Sequence, residues 1–106
     1  MPLPCPCDPK AFGDKVSGTA KGPRADEQKV EKKAQGKAIH EAVEAFIKAI
    51  HDNQCEGDCY PVFTNLHIGL TGGGYSTTEG GEVSVTALAE WRISISCKKP
   101  VKKDKP

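Results

Sequence analysis

The chain has 106 residues, with 15 Lys or Arg against 14 Asp or Glu and a formal net charge of +1. That length leaves room for one domain, and the charge lacks the broad basic footprint of a nucleic-acid binder. No stretch approaches the roughly 18–20 apolar residues that cross a bilayer as a helix, so no transmembrane segment is expected.

Residues 1–22 read as an irregular arm, with prolines at 2, 4, 6 and 9 and glycines at 13, 18 and 22. A third, short strand over Phe12–Ser17 is a candidate within it. Met1–Cys7 has neither the charged start nor the apolar run of a secretory leader.

Pro23 to Asn53 reads as one long helix. Proline suits its first turn, and Asp26 and Glu27 there complement the helix dipole. Its apolar stripe is Val30, Ala34, Ala38, Ile39, Ala42, Val43, Phe46, Ile47 and Ile50, a helical spacing. The first half offers mainly alanine and is expected to pack lightly, with Gly36 costing about 1 kcal/mol against alanine.

Tyr60 to Leu70 reads as a strand, with Tyr60, Val62, Thr64, Leu66, Ile68 and Leu70 on one face and Pro61, Phe63, Asn65, His67 and Gly69 on the other. Thr71 to Gly81 holds five glycines and reads as a long, loose hairpin connection. From Val83 to Cys97 every second residue is apolar: Val83, Val85, Ala87, Ala89, Trp91, Ile93, Ile95 and Cys97. Such alternation marks an antiparallel strand that covers a core on one side only. The final stretch, 98–106, carries five lysines and one aspartate and reads as a solvated tail.

These elements predict an α+β domain over 23–97, one long helix packed on an antiparallel hairpin of two long strands. A strand of about 15 residues spans roughly 50 Å, and a 27-residue helix about 40 Å. One helix therefore leaves part of the dry face uncovered. The N-terminal arm, a bend in the strand or a second chain must cover the remainder, and Cys97 is the expected anchor for the arm. Two strands also leave two open edges, which invite pairing.

The five cysteines, Cys5, Cys7, Cys55, Cys59 and Cys97, bracket the loose ends of this plan. The expected arrangement is two disulfides and one odd thiol, with connectivity undetermined by spacing. The alternative is zinc held by Cys5, Cys7, Cys55 and Cys59, although neither pair has the usual two-residue spacing. A thiol oxidoreductase is disfavoured, because Cys55 and Cys59 follow a helix C-terminus, the wrong end to stabilise a thiolate.

Other residues carry weaker signals. His40-Glu41 begins a zinc-protease pattern, but Glu44 stands where the second histidine belongs. His40, Glu44, Lys48 and His51 read instead as one polar helix face. Trp91 belongs to the dry row. Phe63, His67, Tyr75 and Leu88 form a candidate contact surface on the wet face and the glycine loop. No catalytic residues and no cofactor are assigned.

The leading reading is a non-enzymatic structural or binding domain, disulfide-stabilised, secreted or envelope-associated, and self-assembling or binding a protein partner at an open sheet edge. One alternative is a cytoplasmic zinc-binding regulatory protein. Another is an enzyme or ligand binder whose site forms between subunits, with His67, Tyr75 or Arg92.

Overall fold

In the computed structural model, which describes residues 2–100, β1 (Cys7–Pro23) leads through a short 3-10 turn at Arg24–Asp26 into α1 (Glu27–Asp52). β2 (Tyr60–Glu79) and β3 (Glu82–Lys98) follow. The three strands form one antiparallel sheet in the order β1-β3-β2. The long alternating segment is the central strand, and α1 lies across its apolar face. This is the expected α+β architecture, with the third strand present and far longer than Phe12–Ser17.

The irregular arm is the main correction. β1 pairs with β3 from Cys7↔Cys97 to Pro23↔Glu82. Prolines and glycines hide it from sequence reading, yet an edge strand tolerates them because half of its backbone groups face away from the ladder. The alternation of Phe12, Val16 and Ala20 on the helix side is diluted by Asp14, Gly18 and Gly22.

Those glycines set the depth of the helix–sheet contact. A Cβ at Gly18 would meet the Ala38 backbone nitrogen and lie 2.6 Å from the Ala34 carbonyl oxygen, and one at Gly22 would lie 2.6 Å from Val30 Cγ2. Ala34, Ala38 and Ala42 are consequently fully buried. The expectation that the alanine half packs lightly is therefore overturned. Small residues on both sides let the two backbones approach closely, and this end is tightly packed.

The hairpin is also tighter than the glycines suggest. β2 runs to Glu79 opposite Glu82, leaving Gly80 and Gly81 as a two-residue turn with Gly80 at φ +63°. Two-residue turns that begin with a positive φ match the twist of antiparallel strands. The surplus residues are absorbed in a bulge between Thr71 and Tyr75, where Gly73 takes φ +97°. The Arg24 N–H donates to the Gly81 carbonyl at 2.8 Å, tying the helix start to the hairpin tip.

A second bulge, between Thr64 and His67, inserts one extra residue into β2 and holds Asn65 at φ +54°. One inserted residue exchanges the two faces of a strand. Phe63 therefore lies on the helix side, opposite Ile95, while His67 lies on the open side, opposite Arg92. The expected assignment of both to one face is corrected by this bulge.

The helix-side row of β3 is buried from Val83 to Cys97. Phe46 meets Trp91 edge-on, with ring centroids 6.4 Å apart. The Trp91 indole Nε1 is buried without an acceptor, a desolvation cost of about 1–3 kcal/mol that the surrounding packing offsets.

Two glycine substitutions separate the roles of close approach and helix propensity. Gly18→Ala forces α1 away from β1 and is expected to lower unfolding free energy by about 1–3 kcal/mol. Gly36→Ala, where an added Cβ meets nothing within 4 Å, is expected to raise it by about 0.5–1 kcal/mol. Denaturant titration measures both, and equal effects at the two positions would contradict the packing account.

Candidate functional site

At the end of the sheet where α1 stops, a cysteine-rich knot closes the core. Asn53 Nδ2 donates to the Ala49 carbonyl at 2.7 Å, satisfying one of the acceptors a helix C-terminus leaves open. The loop that follows is held twice. Cys55 is bonded to Cys97 on β3, and Cys59 to Cys5 in the N-terminal segment. Leu3 adds a short parallel bridge, its N–H donating to the Gln54 carbonyl at 2.7 Å and its carbonyl accepting from the Glu56 N–H at 3.0 Å. Leu3 is buried in the core. The segment before β1 thus covers the sheet where the helix runs out, although its anchor is Cys59 and not the expected Cys97.

Cys7 carries a free, half-buried thiol. Cys5, Cys55 and Cys59, three of the four sulfurs that the zinc alternative requires, are in disulfides. Among the described residues, no group of three or more His, Cys, Asp or Glu side chains is placed to hold a metal.

The open face of the sheet is polar. His67 Nε2 lies 3.3 Å from Glu90 Oε1, with both side chains partly exposed. In the strand register Arg92 is directly opposite His67, and Lys15 is opposite Glu90. Thr19 and Thr86 pair their hydroxyls at 3.0 Å. Solvent-washed charge pairs of this kind contribute about 0–1 kcal/mol. On the helix, His40 Nε2 lies 3.0 Å from Glu44 Oε1 in an exposed i,i+4 pair, and His51 meets Asp52.

The candidate contact residues do not form one surface. Phe63 is on the helix side. Tyr75 and Leu88 line a shared groove with Leu70 and Thr71 beside the glycine bulge, where Leu88 Cδ1 sits 3.5 Å from the Cβ position of Gly73. His67 stands farther along the open face.

The two edges of the sheet differ in chemistry. β1 carries Asp8, Lys10, Asp14, Lys15 and Lys21, and Lys37 Nζ of the helix donates to its Thr19 carbonyl at 3.1 Å. Charged residues, lysines especially, are the usual protection of an exposed edge. β2 has 20 residues, contains no Lys, Arg or Asp, and holds Glu79 as its one carboxylate. Because α1 packs chiefly on β1 and β3, the helix-side residues of β2 have little cover. Leu70 is 47% exposed there, Leu66 in the bulge is 56% exposed, and Ile47 of the helix, which shares a groove with Phe63, is 58% exposed. Ile47 also lines an apolar groove with Ile50, Pro61, Phe63 and the Cys55 and Cys59 loop.

Sequence reading missed Leu66, Leu70 and Ile47 as surface groups, because all three fall in correct apolar phase for burial. It missed Leu3 because a lone leucine among prolines has no periodicity. No family model matches the chain, and no curated protein or solved structure is significantly similar to it.

The disulfides close segments with sequence separations of 54 and 42 residues. Chain-entropy arguments assign loops of that size about 4 kcal/mol each. Full reduction is therefore expected to lower the unfolding temperature sharply, with the knot region opening first. Thermal unfolding with and without reductant checks this, and an unchanged transition would remove the knot from the stability account.

Proposed function

We propose that this protein is a non-enzymatic assembly module of an oxidising, extracytoplasmic compartment, and that its partner is a second copy of itself joined along β2. The observation that carries the reading is the state of that edge: 20 residues long, nearly uncharged, with Phe63 and Leu70 exposed on its helix side and Leu66 exposed at its bulge.

An unpaired strand edge offers a row of free N–H and C=O groups, and pairing with a like strand satisfies them. Two β2 strands related by a two-fold axis are self-complementary, as a closed dimer interface requires. The result would be one continuous six-stranded sheet, with each copy's helix-side apolar residues brought against those of the other. The bulges at Thr64/His67 and Thr71/Tyr75 interrupt the edge, so pairing would run over the regular stretches Val62–Thr64 and His67–Thr71. The β1 edge, with its five charged residues, is the solvent edge in this arrangement.

The disulfides support the compartment, since they persist where thiols are oxidised and are rare in the reducing cytosol.

An assembly of this kind is expected to hold at micromolar concentration, where a Kd of about 1 μM corresponds to roughly −8 kcal/mol. Sedimentation of the wild type well above that concentration should give a dimer or higher oligomer. The double variant Leu66→Lys, Leu70→Lys, altered at two exposed positions, should sediment as a folded monomer with an unchanged circular dichroism spectrum. A wild type that remains monomeric, or a variant that assembles equally well, overturns the proposal.

A further inference from the structure

The knot holds three cysteines in a relation that two static disulfides do not explain. β1 and β3 are registered so that Cys7 is directly opposite Cys97. Directly opposed residues of an antiparallel pair project to the same face, with Cα atoms about 4.5–5.5 Å apart. That separation falls inside the range a disulfide spans. Cys97 is instead bonded to Cys55, at a Cα–Cα distance of 5.7 Å. Cys97 is buried, and Cys7 packs against the same core cluster. A free thiol is therefore held beside a disulfide sulfur that it could bond without rearrangement of the sheet.

We infer that Cys7, Cys97 and Cys55 form an internal thiol–disulfide exchange site. The Cys7 thiolate attacks Cys97 Sγ, and the Cys7–Cys97 bond forms as the Cys55–Cys97 bond breaks. The electron pair leaves on Cys55 Sγ, which takes up the proton that Cys7 released. One disulfide and one thiol stand on each side, so no external oxidant or reductant is needed.

The exchange changes what is tethered. With Cys55–Cys97 in place, the loop after α1 is fixed directly to the central strand. With Cys7–Cys97 in place, that loop is held only through Cys5–Cys59 and the short arm. The freed Cys55 thiol then lies in the apolar groove formed with Ile47, Ile50, Pro61 and Phe63. The site thus moves a reactive thiol from the β1 end of the knot to the groove beside β2, and loosens the loop that carries it. This holds whether or not copies assemble along β2.

The test follows the position of the thiol in the intact, oxidised protein. Protein held in acid and then labelled briefly with a maleimide should carry the label at Cys7. Incubation at neutral to mildly alkaline pH before labelling should shift label to Cys55, with a Cys7–Cys97 cross-linked peptide appearing in the non-reduced digest. Exchange runs through the thiolate, so the transfer should accelerate as the pH is raised. The variant Cys55→Ser should form Cys7–Cys97 in place of the lost bond. Label that stays at Cys7 throughout the incubation overturns the inference. So do intermolecular Cys7–Cys7 dimers in place of Cys55 labelling, or a folded Cys55→Ser protein with both Cys7 and Cys97 reduced. The wild-type measurement stands alone if that variant does not fold.

Discussion

The contact between the alanine row of α1 and the glycines of β1 places everything else. Gly18 and Gly22 remove the side chains that would hold the helix off the sheet, and Ala34, Ala38 and Ala42 fill the shallow space that remains. Close-packed backbones gain many small dispersion contacts, individually weak and collectively large. The position of that contact matters as much as its strength. It draws the helix over β1 and β3, and one helix is too narrow to cover a third strand as well. β2 has less cover on its helix side because the small residues are on β1.

A second constraint is length. Helix residues rise about 1.5 Å each and strand residues about 3.3 Å, so α1, with 26 residues, is shorter than any of the three strands. Between Asn53 and Tyr60 the core is closed by Leu3 and the two disulfides rather than by regular structure. Small domains with modest cores commonly add such cross-links. The same crowding that lets four half-cystines serve as a lid puts the free Cys7 opposite an already bonded Cys97.

Much of this was legible in the sequence, and the failures share causes. The helix and the central strand announce themselves by unbroken periodicity, and α1 and β3 fall within a few residues of their expected bounds. β1 was obscured because an edge strand with glycines at the helix contact lacks a continuous apolar row. The face of Phe63 was misassigned because a single inserted residue at Asn65–Leu66 reverses the alternation, and a bulge leaves no reliable mark in composition. The glycine run reads as a loose loop, whereas the bulge at Gly73 and the turn at Gly80 use glycine to keep the strands paired. The pairing of the five cysteines depends on where the chain places them, which spacing does not encode. Open edges are expected from the sequence, but that β1 and β2 form them, and that β2 is the less charged, follows only from the strand order and the charges on β1.

The central claim is that β2 is an interface and not a solvent edge. Amide hydrogen exchange of the native protein addresses it directly, since outward-facing amides of an unpaired edge exchange through solvent contact alone, whereas paired amides must wait for opening. If copies pair along β2, alternate amides of Val62–Thr64 and His67–Thr71 will be protected nearly as well as those of β3, and that protection will fall on dilution. Rapid, concentration-independent exchange along that edge, with β3 fully protected, would contradict the account.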